Sequence, residues 1–166
     1  MDVKPTSILF VCLGNICRSP LAEGVLRHLV RERGLDDRYV IDSAGTGAWH
    51  VGEPPDRRST EMARKHGVVL EGAARQISPR DLERFDWVIV MDRENLRAVE
   101  DMKRRHGGTA RVHLLREFDP DPEDHEVPDP YYGGPGGFDR VYRLVRRSLE
   151  SFLERLGDPA ERGRSP

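Results

Sequence analysis

Four apolar residues in a row, Ile8-Leu9-Phe10-Val11, constrain the fold of this chain more than any other stretch. A strand made of such a run has no face fit for water, so both faces must be covered. That calls for a parallel sheet with helices on either side rather than a sandwich with a wet face. The run stops at Cys12. Gly14 and Asn15 follow, two residue types that accept positive φ, so the chain is expected to curl tightly after the strand. Ser19-Pro20 then reads as a helix start, a hydroxyl cap followed by a proline in the first turn. Strand, tight loop and helix N-terminus thus fall within residues 7–20.

The rest of the chain repeats this alternation. Residues 20–33 carry Leu21, Val25 and Leu29 at helical spacing, and Gly34 ends them. Tyr39-Val40-Ile41 reads as a second strand, running into Ser43-Ala44-Gly45. Residues 46–55 form a Gly- and Pro-rich loop, after which Asp56 caps a helix that Gly67 stops. Residues 68–78 read as irregular and 79–84 as a short helix. Trp87-Val88-Ile89-Val90-Met91 is a third strand, Asp92 starts a helix over 93–105, and Val112-His113-Leu114-Leu115 is a fourth strand. Residues 117–137 are a long Asp-, Pro- and Gly-rich loop, of a length that is usually functional in a compact domain. A last helix over 138–156 has Phe138, Val141, Val145, Leu149, Phe152 and Leu156 on one stripe. The expected fold is α/β: a single-domain, doubly wound parallel sheet of about four strands with helices on both faces. The expected domain is 1–166, with its core at about 7–156 and a flexible tail at 157–166. In such sheets ligands bind beyond the C-terminal ends of the strands, which is where Cys12 lies.

Composition narrows the function classes. A net charge of −2 and a pI near 6.3 give no support for nucleic-acid binding. No apolar run approaches transmembrane length, and the N-terminus MDVKPTS lacks a signal-peptide pattern. The 2 cysteines, Cys12 and Cys17, share one short loop, which is not a secreted disulfide framework. The expected setting is the reducing cytoplasm, without membrane insertion. His28, His50, His66, His106, His113 and His125 form no zinc spacing, so no metal is expected.

The chemistry gathers at the first loop. The N–H groups of a curled loop and a helix N-terminus together make an anion site. Arg18 adds a planar fork that matches two phosphate oxygens. Cys12 lies under the same positive field, which favours the thiolate, a nucleophile for phosphoryl transfer. A lone cysteine after a strand is usually only a small buried apolar residue. The joint pattern of Cys12, five residues, Arg18 and Ser19-Pro20 at a strand-to-helix switch favours the catalytic reading. Expelling an aryl oxygen also needs an acid. On chemistry alone the long loop offers Asp119, Asp121, Glu123, Asp124, Glu126 and Asp129 without choosing among them. Pro130 would keep Asp129 extended. Residue type leaves Trp49 open between the core and the surface. Tyr131 and Tyr132 could either grip a flat ring or pack the loop onto the domain.

Cys12-Leu13-Gly14-Asn15-Ile16-Cys17-Arg18-Ser19-Pro20 resembles the active-site signature of the low-molecular-weight protein tyrosine phosphatases. Asp42-Ser43-Ala44-Gly45-Thr46, Pro54-Pro55-Asp56, Ala74-Arg75-Gln76, Val90-Met91-Asp92 and Asp129-Pro130-Tyr131-Tyr132 resemble further segments of that family, in family order. The resemblance covers residues 7–156. It implies a phosphotyrosine phosphatase with Cys12 as nucleophile and Asp129 as general acid and base. Leu13, Gly14, Asn15, Ile16, Cys17 and Arg18 would bind phosphate, with Asn15, Ser19 and Ser43 supporting them by hydrogen bonds. Leu13, Trp49, Tyr131 and Tyr132 would wall the pocket, and Cys17 would be a redox partner for Cys12. It implies no cofactor, a phosphotyrosine-bearing protein as substrate and inhibition by phosphate-like oxyanions. Bacterial relatives often act on tyrosine kinases controlling polysaccharide export, so the resemblance offers such a kinase as the substrate. One departure is Gly72, which stands where many relatives carry a histidine tied into the loop's hydrogen bonds, so the network must close differently, through water. Ile16 stands where arginine phosphatases of this fold have Thr. An arsenate reductase would need further cysteines for its relay. A module that captures phosphotyrosine without turnover is the rival from another class.

Overall fold

The computed structural model describes residues 4–130 and 137–157. The apolar run is the inner part of strand β1 (Thr6–Cys12), which leads into helix α1 (Arg18–Glu32) and strand β2 (Tyr39–Gly45). Helices α2 (Arg57–Lys65) and α3 (Asp81–Arg84) precede strand β3 (Trp87–Val90). Helix α4 (Arg93–His106), strand β4 (Arg111–Leu114), a 3-10 turn (Leu115–Phe118) and helix α5 (Gly137–Gly157) complete the described chain. The strands lie in the order β2-β1-β3-β4, all parallel. β1 is therefore interior, as its uninterrupted apolar run requires.

Alternation along β1 splits the core in two. Ile8 and Phe10 pack with Leu21, Val25, Val145 and Leu149 of α1 and α5. Leu9 and Val11 pack with Leu82, Val88, Val90 and Val99 on the other face. The expected stripe on α5 is the buried one: Phe138, Val141, Val145, Leu149 and Phe152 all face the core. The chain leaves β1 toward β2 on one side and returns to β3 on the other, so the C-terminal end of β1 lies at the switch point where such sheets form their crevice. No helix among the described residues is long and apolar enough to cross a membrane.

Three local expectations fail. α1 begins at Arg18 rather than Pro20, and Ser19 does not cap it. The N-cap position is Cys17, which makes no side-chain cap bond, because the loop feeds straight into the helix and the Ser19 hydroxyl turns inward instead. Pro20 still lies in the first turn, where a backbone N–H has no helical partner to lose. Gly14 does not take positive φ; within the loop only Asn15 does, at φ 58°. What Gly14 provides is room, since a Cβ there would lie 3.0 Å from the His50 ring. The expected tail begins one residue too early, because Gly157 belongs to α5; residues 158–166 fall outside the described residues.

Candidate active site

The loop after β1 is built by turning its carbonyls outward. The Leu13 carbonyl accepts from the Gly47 amide (2.9 Å), that of Ile16 from the Asp56 amide (2.7 Å) and that of Cys17 from the Ser59 hydroxyl (3.2 Å). In a trans peptide the N–H points opposite to the carbonyl, so the amides of Gly14, Cys17 and Arg18 are aimed inward. The Asn15 amide donates to Cys12 Sγ at 3.3 Å. Gly45 lets the loop sit close to β2: a Cβ there would lie 2.8 Å from the Leu13 carbonyl oxygen and 3.2 Å from the Asn15 amide nitrogen.

Polar side chains hold the loop from behind. Asn15 Nδ2 donates to the Ser19 hydroxyl (2.8 Å) and to the Ser43 hydroxyl (3.0 Å), while its Oδ1 accepts from the Arg75 amide (3.0 Å). Ser19 Oγ lies 2.9 Å from Cys12 Sγ. Ser43 Oγ donates to Glu23 Oε1 at 2.6 Å. The network therefore runs on to a carboxylate of α1. Gly72 itself stands at φ 89° with open space where a side chain would begin.

Arg18 is buried, and its Nη1 donates to Asp92 Oδ2 (2.6 Å) and to the Val127 carbonyl (3.0 Å). Its Nη2 lies 3.6 Å from Asp129 Oδ2. Burial works against the charge on Arg18, but Cys12, Asp92 and Asp129 outweigh it and hold its pKa above the ordinary arginine value. Asp92 caps α4, as expected, by accepting from the Asn95 amide (2.8 Å). Sequence reading left it at that and missed its second bond, to Arg18. Both cysteines are free thiols. Burial, and then the charges of Asp56, Cys12 and Asp129, push the Cys17 thiol far up, so Cys17 stays protonated at neutral pH.

Cys12, Leu13, Gly14, Ile16, Cys17, Arg18, Trp49, His50 and Asp129 line one cavity of about 400 Å³. The sequence-derived loop residues other than Asn15, which holds the loop from behind, meet Trp49 and the chosen aspartate at the C-terminal end of β1. Trp49 is 73% exposed, a rim residue rather than a core one. Tyr131 and Tyr132 fall outside the described residues. A sulfur at the floor, inward amides, a guanidinium and a carboxylate at the mouth can bind a tetrahedral anion and exchange a proton with a group attached to it.

The family model described as low molecular weight phosphotyrosine protein phosphatase matches residues 7–161. The chain belongs to that family. It is 42% identical over 158 residues to the mouse low molecular weight phosphotyrosine protein phosphatase, covering 93% of this chain and 98% of that protein. It is similar in structure to YfkJ from Bacillus subtilis, with a TM-score of 0.87, 39% identity and coverage of 95% and 98%. It also resembles a Drosophila arginine phosphatase, with a TM-score of 0.87, 37% identity and coverage of 92% and 98%. This low molecular weight phosphatase is thus a hydrolase of the phosphoric monoester class by family.

Besides the Asp92–Arg18 bond, three further parts of the phosphatase site escaped the sequence reading. Glu23 lies one helical turn after Ser19, so the i, i+4 rule could have flagged it on the same face. His50 follows the rim tryptophan, and its Nδ1 pairs with Glu53 Oε2 at 2.7 Å. The Val127 carbonyl carries no sequence signal, since a backbone oxygen reaches Arg18 from 109 residues away.

Proposed function

We propose that this phosphatase hydrolyses phosphotyrosine in proteins through a cysteinyl-phosphate intermediate. Cys12 Sγ attacks phosphorus in line, and the inward amides with Arg18 hold the equatorial oxygens. The bond to the tyrosyl oxygen breaks, and Asp129 gives that oxygen its proton. Asp129 then takes a proton from water, whose oxygen attacks phosphorus. The S–P bond breaks, inorganic phosphate leaves and the Ser19 hydroxyl stabilises the returning thiolate. The loop supplies the positive field for both steps, so the reading assigns no role to a metal or cofactor. The same loop offers Cys17 for a reversible disulfide with Cys12, and phosphate-like oxyanions would compete for the amides. The reading places the enzyme in a reducing cytoplasm, with a tyrosine kinase as its protein substrate.

The observation that carries this is the meeting of Cys12, Arg18 and Asp129 on one cavity, with Asp129 Oδ2 3.6 Å from Arg18 Nη2. A phosphoarginine substrate is the second reading, favoured by the likeness to the Drosophila arginine phosphatase. Ile16 lines the cavity with an apolar side chain in place of a hydroxyl, which favours tyrosine.

The test is 4-nitrophenyl phosphate hydrolysis in reducing buffer with chelator, followed by phosphotyrosine and phosphoarginine peptides. Cys12→Ser should be inactive, and Asp129→Asn should lose on the order of 10²-fold or more on the phosphotyrosine peptide. Phosphate or phosphopeptide binding without turnover would replace the enzyme reading with a capture module.

A further inference from the structure

We propose that Arg116 is a positioning residue for the acid Asp129; this rests on the role just given to Asp129. Arg116 belongs to the 3-10 turn after β4 and its side chain is fully buried. Its Nε donates to Asp119 Oδ2 (3.3 Å), and its Nη1 donates to the Glu126 carbonyl (2.7 Å) and Asp124 Oδ1 (3.3 Å). One planar group therefore ties both ends of the stretch 119–126, which has neither helix nor strand to fix it. Beyond this anchor, the Val127 amide donates to the Met91 carbonyl (2.7 Å) and the Val127 carbonyl accepts from Arg18 (3.0 Å). Asp129 follows two residues later.

Stability alone does not explain an arginine here. Arg116 Nη2 is buried and has no hydrogen-bond partner among the described residues. A buried guanidinium with an unmade bond is costly, and a buried cluster of this kind exchanged as a whole for apolar side chains is often neutral or better, although losing Arg116 alone leaves Asp119 and the Glu126 carbonyl a donor short. Asp119 does not depend on Arg116 alone for its charge either, since Arg147 of α5 grips it with two bonds of 2.8 Å. What an apolar residue cannot reproduce is the directional tie between Asp119 and Glu126. A general acid is sensitive to such a tie, because a displacement of about 1 Å costs on the order of 10²-fold in rate.

The experiment measures kcat/KM, which reports the first chemical step, for 2,4-dinitrophenyl phosphate and for phenyl phosphate. The first leaving group departs without a proton and the second needs one. Arg116→Met and Arg116→Lys are compared with wild type and with Asp129→Asn, and amide hydrogen exchange is followed at Val127 and along β1. The expected result is a loss on phenyl phosphate that exceeds the loss on the dinitrophenyl ester by about tenfold or more. Val127 should exchange faster while β1 keeps its protection. Equal losses on both esters, faster exchange throughout β1, or failure of both variants to fold would overturn the proposal in favour of a purely structural arginine. If Asp129→Asn itself shows no dependence on the leaving group, the acid is misassigned and the role of Arg116 falls with it. If Asp129→Asn shows the dependence and the folded Arg116 variants do not, only the Arg116 proposal falls.

Discussion

Asn15 combines a backbone and a side-chain task. It is the only described residue other than glycine with positive φ, and its amide group bonds Ser19, Ser43 and the Arg75 backbone. Glycine can keep the conformation but not the bonds, and alanine keeps neither. Asn15→Gly should therefore unfold about 1 kcal/mol later than Asn15→Ala, read from urea midpoints. Both should lose activity through the loosened Ser19 hydroxyl beside Cys12, and equal stability of the two would show that φ does not matter here. The residue type announced the left-handed turn. It could not announce the partners, because Ser43 and Arg75 arrive from 28 and 60 residues away.

Helix α4 shows the same division at the scale of an element. An aspartate before a helical run is legible as a cap, and Asp92 caps α4 through the Asn95 amide. Its other oxygen holds Arg18 at 2.6 Å, so the start of α4 also aims the phosphate-binding fork. Asparagine can still cap but carries no charge. Asp92→Asn should keep the cap and lose only the ion pair, while Asp92→Ala loses about 1 kcal/mol more with the cap. Both should lower kcat/KM for 4-nitrophenyl phosphate by about tenfold, since a guanidinium held by one partner fewer is misplaced. A fall in activity confined to Asp92→Ala would mean that the cap alone matters.

Across the whole molecule, Asp119 joins the turn after β4, the acid-bearing loop and α5 through Arg116 and Arg147. Burial pushes its pKa up, but bonds from Arg147 and the Asp121 amide, with the charges of Arg147 and Arg116, more than offset this and hold it below the usual carboxylate value. The stabilisation is therefore whole above an unfolded-state pKa of about 3.9 and is lost as pH falls through the lower folded value. Urea midpoints of wild type and Asp119→Asn should differ at neutral pH and begin to draw together only below about pH 4; a gap that does not narrow as pH falls further would sink this account. By itself the sequence determined the parallel sheet, the loop after β1 and the candidacy of Cys12 and Arg18, because hydrophobic periodicity, turn residues and caps act between neighbours in the chain. Spacing alone could not choose Asp129 among six acids or put Trp49 at the pocket rather than in the core, and there the family resemblance made the choice. Only the tertiary structure decided how the Asn15 network closes on Glu23, that Ser19 does not cap α1 and which groups hold Arg18. Those bonds join residues brought together by strand order and helix packing, and a linear spacing carries no record of them.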